Sequence, residues 1–212
     1  MLAHVTLGVL LFRLKRTLIV WHSGEICKAN FLDKAEVMRT AWRLVRRGLV
    51  SCVLCHGPLT VHGCYSRHCH DEDGKCYDGW VAQGHCEVCN KYPSLIPEFL
   101  MPYKHFKAEV IEAVIADSEG GKNYENFGDR AADISTMRRW VRQFKVRGAL
   151  AVGWLVSILL TVYELQIGSL DLRNRTLLKQ LTRLLQKFTC PKSGGIIGRI
   201  NFILTTQNCG FL

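Results

Sequence analysis

The chain has 212 residues, of which 48% are apolar, so one or two packed domains are expected and wholesale disorder is excluded. The formal charge of +10 favours a polyanionic partner, although residues 51–100 are net acidic and the regions on either side are basic. The first twelve residues are apolar but lack the basic start and small-residue cleavage site of a secretion signal. We therefore expect a cytoplasmic, reducing location in which disulfides are rare.

The predicted fold is α+β and mostly helical, with a small β zinc ribbon followed by a three-helix, helix-turn-helix-like bundle and C-terminal helices. Six segments are predicted: a strand and a helix (1–50), the zinc ribbon (51–92), a proline-rich connector (93–104), the helix-turn-helix-like domain (105–148), a C-terminal helical hairpin (149–189) and a tail (190–212). In the first segment, Asp33 and Gly48 are the expected N-cap and C-cap of a helix. The connector has three prolines in ten positions, so little regular structure is expected there.

Seven of the ten cysteines lie between Ser51 and Asn90. Two C-x-x-C pairs, Cys52/Cys55 and Cys86/Cys89, can supply the four soft ligands that zinc takes in a tetrahedron. The intervening residues predict a β-hairpin, with Gly74 in the "DEDG" turn where a positive φ is needed. The pattern therefore predicts one structural zinc ion. Four free buried cysteines, or a redox pair, are the alternatives.

The other three cysteines of this segment, Cys64, Cys69 and Cys76, are expected to pack as small apolar residues. Four histidines also lie nearby, and one of them could replace a cysteine ligand: His62, His68, His70 and His85. A site with four thiolates has no open coordination position, so no catalytic role is predicted for the metal.

Three helices are predicted over about 105–118, 122–131 and 135–147, which is the pattern of a helix-turn-helix. In the third helix Ser135 is the expected N-cap, Gly148 the expected end, and Trp140 part of the buried stripe. The candidate DNA-contacting residues lie on its other faces and at its start: Ser135, Thr136, Arg138, Arg139, Arg142, Gln143, Lys145 and Arg147. Arginine suits guanine edges and phosphates, glutamine suits adenine, and a helix N-terminus can meet a phosphate. A solvated basic helix without a ligand is the alternative.

An apolar run of 16 uncharged residues covers 148–163 and is predicted as a buried helix in preference to a membrane segment. The last predicted helix repeats Leu177, Leu181, Leu184 and Phe188 on one side. This stripe suits an intramolecular core or, alternatively, a homodimer.

The stretch from Cys52 to Phe144 resembles a family of small uncharacterised bacterial zinc-ribbon proteins, a catalogued domain of unknown function. That family is similar to the zinc-binding, helix-turn-helix heads of insertion-sequence transposases. The resemblance is carried by the two knuckles, the "HGCYSR" strand, the "DEDGK" turn, the "YPSLIPEFLMPYK" connector and the "STMRRW" helix. It implies zinc at the four cysteines and DNA binding through the helix from Ser135, but no activity. His56 and Asn90 stand where glycine is usual in that family, and Val53 where proline is usual.

The function predicted on these grounds is non-catalytic binding of double-stranded DNA by a protein associated with transposase-like mobile elements. A protein-interaction or membrane-associated adaptor that uses the apolar C-terminal helices is the alternative. A transposase or nuclease fragment is disfavoured, because such enzymes cluster carboxylates around Mg²⁺ and only Glu164 and Asp171 follow residue 133.

Overall fold

The computed structural model describes residues 18–21, 33–97, 99–101, 104–126, 132–161, 172–188 and 195–206. In chain order its elements are β1 (Leu18–Trp21), α1 (Lys34–Arg46), β2 (Leu59–His70), β3 (Cys76–Cys86), β4 (Ser94–Pro97), α2 (Ala108–Glu119), a 3-10 turn (Tyr124–Asn126), α3 (Ile134–Thr161), α4 (Leu177–Leu185) and α5 (Gly195–Thr206). The predicted α+β class is confirmed.

The strands form one sheet in the order β1-β4-β3-β2. β2 and β3 are an antiparallel hairpin whose register runs from Leu59 opposite Cys86 to His70 opposite Cys76. Gly74 in the turn has φ of 76°, so the predicted hairpin and its glycine are confirmed. β4 is antiparallel to β3, and β1 is parallel to β4.

The expectation that the proline-rich connector lacks regular structure is wrong for residues 94–97, which form β4. Pro97 ends the strand and Pro93 precedes it, so neither ring removes a hydrogen bond from the middle of the ladder. Leu95 and Ile96 are each 1% exposed. Their burial in the core explains why this short segment is held in the sheet.

Helix α1 packs on β2 and β3. Its predicted N-cap is confirmed, because the Asp33 carboxylate accepts the Ala35 N–H at 2.8 Å. The C-cap is Arg47, one residue before the predicted Gly48, which follows it with φ of 64°. Ala41 is buried on the inner side, where it joins the core that contains Val81 of β3. The apolar side of α1 therefore covers one face of the sheet.

Helix α3 is continuous from Ile134 to Thr161, so its predicted end at Gly148 is wrong. A Cβ at position 148 would lie 2.7 Å from Leu177 Cδ2. The glycine therefore allows α4 to approach α3 closely, and it does not terminate the helix. The predicted boundary between residues 148 and 149 falls in the middle of α3.

Within the predicted second helix over 122–131, the structure describes residues 122–126, and their helical part is the 3-10 turn Tyr124–Asn126. Residues 127–131 lie outside the described part. The inner side of the predicted apolar run is buried: Leu155 and Leu159 pack against α4 around Leu181 and Leu184. Among the described residues, α3 is the one helix that is long and apolar enough to cross a membrane, judged by length and composition alone.

Two carboxylates of α2 cap the C-terminal helices. Glu119 accepts the Leu178 N–H in the first turn of α4, with both carboxylate oxygens at 3.2 Å. Glu112 accepts the Ile196 N–H at the start of α5, where burial raises the pKa of the carboxyl group. Because an anion at a helix N-terminus satisfies free N–H groups and the helix dipole, α2 anchors both helices.

Candidate metal centre and basic helix face

The Sγ atoms of Cys52, Cys55, Cys86 and Cys89 all lie within 4.8 Å of one another. The distance is 3.5 Å between the Sγ atoms of Cys52 and Cys89, and 3.4 Å between those of Cys55 and Cys86. A tetrahedron with metal–sulfur bonds of about 2.3 Å has sulfur–sulfur edges of roughly 3.8 Å. The structure thus brings the four predicted ligands together at a spacing that can hold a metal ion.

Each C-x-x-C pair sits in a tight turn at one end of the hairpin. In the first turn the His56 N–H donates to the Cys52 carbonyl at 2.8 Å, and in the second the Cys86 N–H donates to the Lys91 carbonyl at 2.8 Å. His56 and Asn90 have φ of 57° and 51°, the left-handed region that favours glycine. Both residues therefore hold their turns in a backbone conformation that glycine most often supplies.

The thiols of this group do not titrate alike. The Cys89 N–H donates to the Cys86 sulfur and lowers the pKa of Cys86 to about 7, whereas burial raises the pKa of Cys89 to about 12. Four thiolates this close would repel one another in the absence of a cation. A bound divalent cation would supply the charge that lets all four ionise. The closed set of four sulfurs suits a structural ion, since no ligand position is left for a substrate.

The remaining cysteines and histidines of the segment lie outside this four-sulfur group. Cys69 is buried, as expected for a residue that packs as a small apolar side chain, and burial raises its pKa to about 11. Cys76 is exposed, so the expectation that it packs in this way is wrong. His85 and Tyr92 stack with ring centroids 4.6 Å apart, and His62 meets the edge of Tyr92 at 4.7 Å. These side chains form an aromatic cluster next to the second turn.

The eight candidate DNA-contacting residues do not share one face of α3. Four long basic side chains are exposed along its first three turns: Arg138, Arg139, Arg142 and Lys145. Gln143 instead accepts a hydrogen bond from Lys104 Nζ at 3.1 Å, and Arg147 is half-buried. Positions 143 and 147 are three and seven residues from the buried Trp140, so helical spacing alone places them beside the core stripe.

The predicted N-cap at Ser135 is wrong, because Asp133 occupies that role. Its carboxylate accepts the Thr136 N–H at 2.8 Å and the Ser135 hydroxyl at 2.6 Å. The Ser135 hydrogen bond is the main reason that the pKa of Asp133 falls to about 2. Asp133 is a better N-cap than Ser135, since its negative charge also interacts favourably with the positive end of the helix dipole. The donors expected to meet a phosphate are therefore already engaged.

Residues 52–140 match the family model described as "Domain of unknown function (DUF6431)". The match includes all four clustered cysteines, the whole β2–β3 hairpin and the first turns of α3. No curated protein and no solved structure matches the chain. Over less than half of its length, then, the chain is similar to a domain of unknown function, which confirms that part of the resemblance.

Proposed function

We propose that the chain is a non-catalytic module that binds double-stranded DNA through α3, and that a structural zinc ion holds the sheet beside it. The observation that carries the DNA proposal is the exposed stripe of Arg138, Arg139, Arg142 and Lys145 (the basic stripe). An association with transposase-like mobile elements is part of the same proposal and is supported by the resemblance alone.

Zinc is the ion that the donor set favours. Thiolates are soft ligands, and four of them in a closed tetrahedral set are typical of structural zinc. The hairpin gains an anchor at its open end, because Cys52 and Cys55 precede β2, Cys86 is the last residue of β3 and Cys89 follows it. Such an ion supplies folding energy to a small sheet and performs no step of a reaction.

The basic stripe has the dimensions of a DNA contact. Lys145 lies seven positions after Arg138, which corresponds to about 10 Å along a helix. No Asp or Glu occurs in α3, so no carboxylate of the same helix neutralises these charges. Arginine forks can bind phosphates or guanine edges, and each phosphate contact releases counterions.

The proposed DNA contacts are those of the basic stripe alone. Gln143 and Arg147 lie towards the interior, so we assign the DNA contacts to the basic stripe and none to adenine recognition by Gln143. The Arg138 guanidinium lies over the Tyr124 ring, 5.5 Å from its centroid, which orders that side chain before DNA arrives.

The test is fluorescence anisotropy of a labelled duplex of about 25 base pairs, at several salt concentrations, with zinc-loaded protein. Arg139→Ala and Arg142→Ala should each weaken binding and reduce the salt slope by roughly one. Arg183→Ala, which removes an exposed arginine from α4, is the matched control and should bind like the wild type. Equal affinity for all three variants and the wild type would reject the basic stripe as the DNA contact.

A second candidate function, an interaction adaptor, is favoured by the exposed apolar side of α3. Val146 is 64% exposed and Leu150 is 42% exposed, next to Ala149 and Gly153 on the same side of the helix. The double substitution Val146→Glu with Leu150→Glu should abolish self-association or vesicle binding if this side is the functional surface. If the basic stripe is the functional surface, the double variant should still bind DNA.

A further inference from the structure

A cavity of about 140 Å³ lies between α2, α3, α4, α5 and the connector. Its walls are largely apolar and include Ile115, Phe144, Leu181 and Ile200. An engineered protein cavity of about 150 Å³ is large enough for benzene. The volume therefore suits a ligand that carries one small apolar group, such as a single aromatic ring.

The polar groups of this cavity are mainly hydrogen-bond donors. Lys104, Gln143 and Arg147 contribute to the wall, and no Asp or Glu is among the described residues that line it. Trp140 is 3% exposed, and its Nε1–H has no hydrogen-bond partner in the part of the chain that the structure describes. A buried donor without a partner is costly, so the indole favours an acceptor in the cavity.

The positive charge of Lys104 in the cavity wall also favours a hydrogen-bond acceptor in the cavity. Lys104 Nζ donates to a neutral acceptor, Gln143 Oε1. Burial and the nearby charges of Arg139 and Arg147 lower the pKa of Lys104. An anion at this point would offset both the burial and the repulsion between like charges.

A half-buried arginine of the sheet positions this wall. Arg67 of β2 donates through its guanidinium to the carbonyl oxygens of Met101 and Lys104, and both of those residues line the cavity. Arg67 ends the "HGCYSR" motif and Lys104 ends the "YPSLIPEFLMPYK" motif. Two motifs that a metal site does not explain therefore meet at the cavity.

We propose that this cavity binds a small carboxylate with one apolar group, either an aryl group or a short branched chain. The apolar group packs among Ile115, Phe144 and Leu181, and the carboxylate accepts hydrogen bonds from Lys104 and from Trp140 Nε1–H. No residue of the basic stripe lines the cavity, and none is assigned a contact with the carboxylate, so this inference does not depend on DNA binding.

Phenylacetate is the probe and benzyl alcohol, which has a ring but no charge, is the control ligand. Binding is followed in ¹H–¹⁵N spectra of the five indole N–H groups of the full, zinc-loaded chain. Trp140→Phe assigns one indole signal by its loss. That signal should move on titration with phenylacetate and saturate, and benzyl alcohol should bind at least about tenfold more weakly.

Lys104→Met should weaken phenylacetate binding by about tenfold or more and leave benzyl alcohol binding unchanged. Lys179→Met, at an exposed position on α4, is the matched control and should leave both unchanged. Lys104→Gln provides a second variant if the methionine form folds poorly. The proposal is overturned if phenylacetate leaves the Trp140 signal in place at about 10 mM, or if Lys104→Met binds phenylacetate like the wild type.

Discussion

Replacing either of two glycines in α3 by alanine tests the packing of this helix. A Cβ at Gly148 would lie 2.7 Å from Leu177 Cδ2 and 3.2 Å from Phe144 Cε2. A Cβ at Gly153 would have no atom within 4 Å. The two substitutions are chemically identical and lie in the same helix, so their difference isolates the contact between α3 and α4.

The magnitudes follow from helix propensity and steric overlap. Alanine is favoured over glycine in a helix interior by about 1 kcal/mol, and forcing a methyl group into a packed contact costs about 1–3 kcal/mol. We therefore expect Gly153→Ala to raise the free energy of unfolding by about 0.5–1 kcal/mol. Gly148→Ala should lower it by about 1 kcal/mol, because the displaced Leu177 and Phe144 outweigh the gain in propensity.

Urea unfolding followed by circular dichroism, with zinc present throughout, measures both values. A difference of about 2 kcal/mol between the two variants is expected. If Gly148→Ala stabilises the chain as much as Gly153→Ala does, α4 does not pack over residue 148. Gly148 would then not serve the close approach of α4 to α3.

Three further predictions concern the sheet and the turn that precedes it. His56→Gly should raise the free energy of unfolding by about 0.5–1 kcal/mol, since glycine adopts the left-handed backbone conformation of this position without strain. A lower free energy of unfolding in urea would contradict this. Arg67→Lys should lower the free energy of unfolding by about 2 kcal/mol, because an ammonium group lacks the planar guanidinium that donates to both the Met101 and the Lys104 carbonyl oxygens. An unchanged urea midpoint would argue against these two hydrogen bonds. At pH 8 iodoacetamide should modify Cys76 and spare Cys69, because the Cys69 pKa of about 11 leaves little of that thiol as thiolate. Mass spectrometry of the folded chain measures the labelling, with the urea-unfolded chain as the control. Rapid modification of Cys69 in the folded chain would refute its burial.

The features that the sequence predicts correctly depend on neighbouring residues. The C-x-x-C spacings, the "DEDG" turn and the Asp33 cap each act within a few positions, so the four-cysteine group and the hairpin could be found from the sequence. The apolar stripe of α2 is equally local, and its Ile111 and Ile115 are buried.

The features that were missed depend on partners far along the chain. Gly148 looks like a helix end, and only the approach of Leu177 shows that it serves close packing. The prolines of the connector hide β4, because burial of Leu95 in the core decides that segment. No local sequence pattern predicts that Glu112 caps α5, or that Arg67 donates to the Met101 carbonyl oxygen in the cavity wall.

The central claim, that one zinc ion is held by four thiolates, is tested most directly by counting zinc per chain with native mass spectrometry. The wild type should carry one zinc ion, and the Cys55→Ser, Cys89→Ser double variant should carry none. The double variant His62→Ala, His85→Ala should still carry one, since neither ring belongs to the four-sulfur group. A wild type without zinc, or a cysteine double variant that keeps it, would contradict the claim.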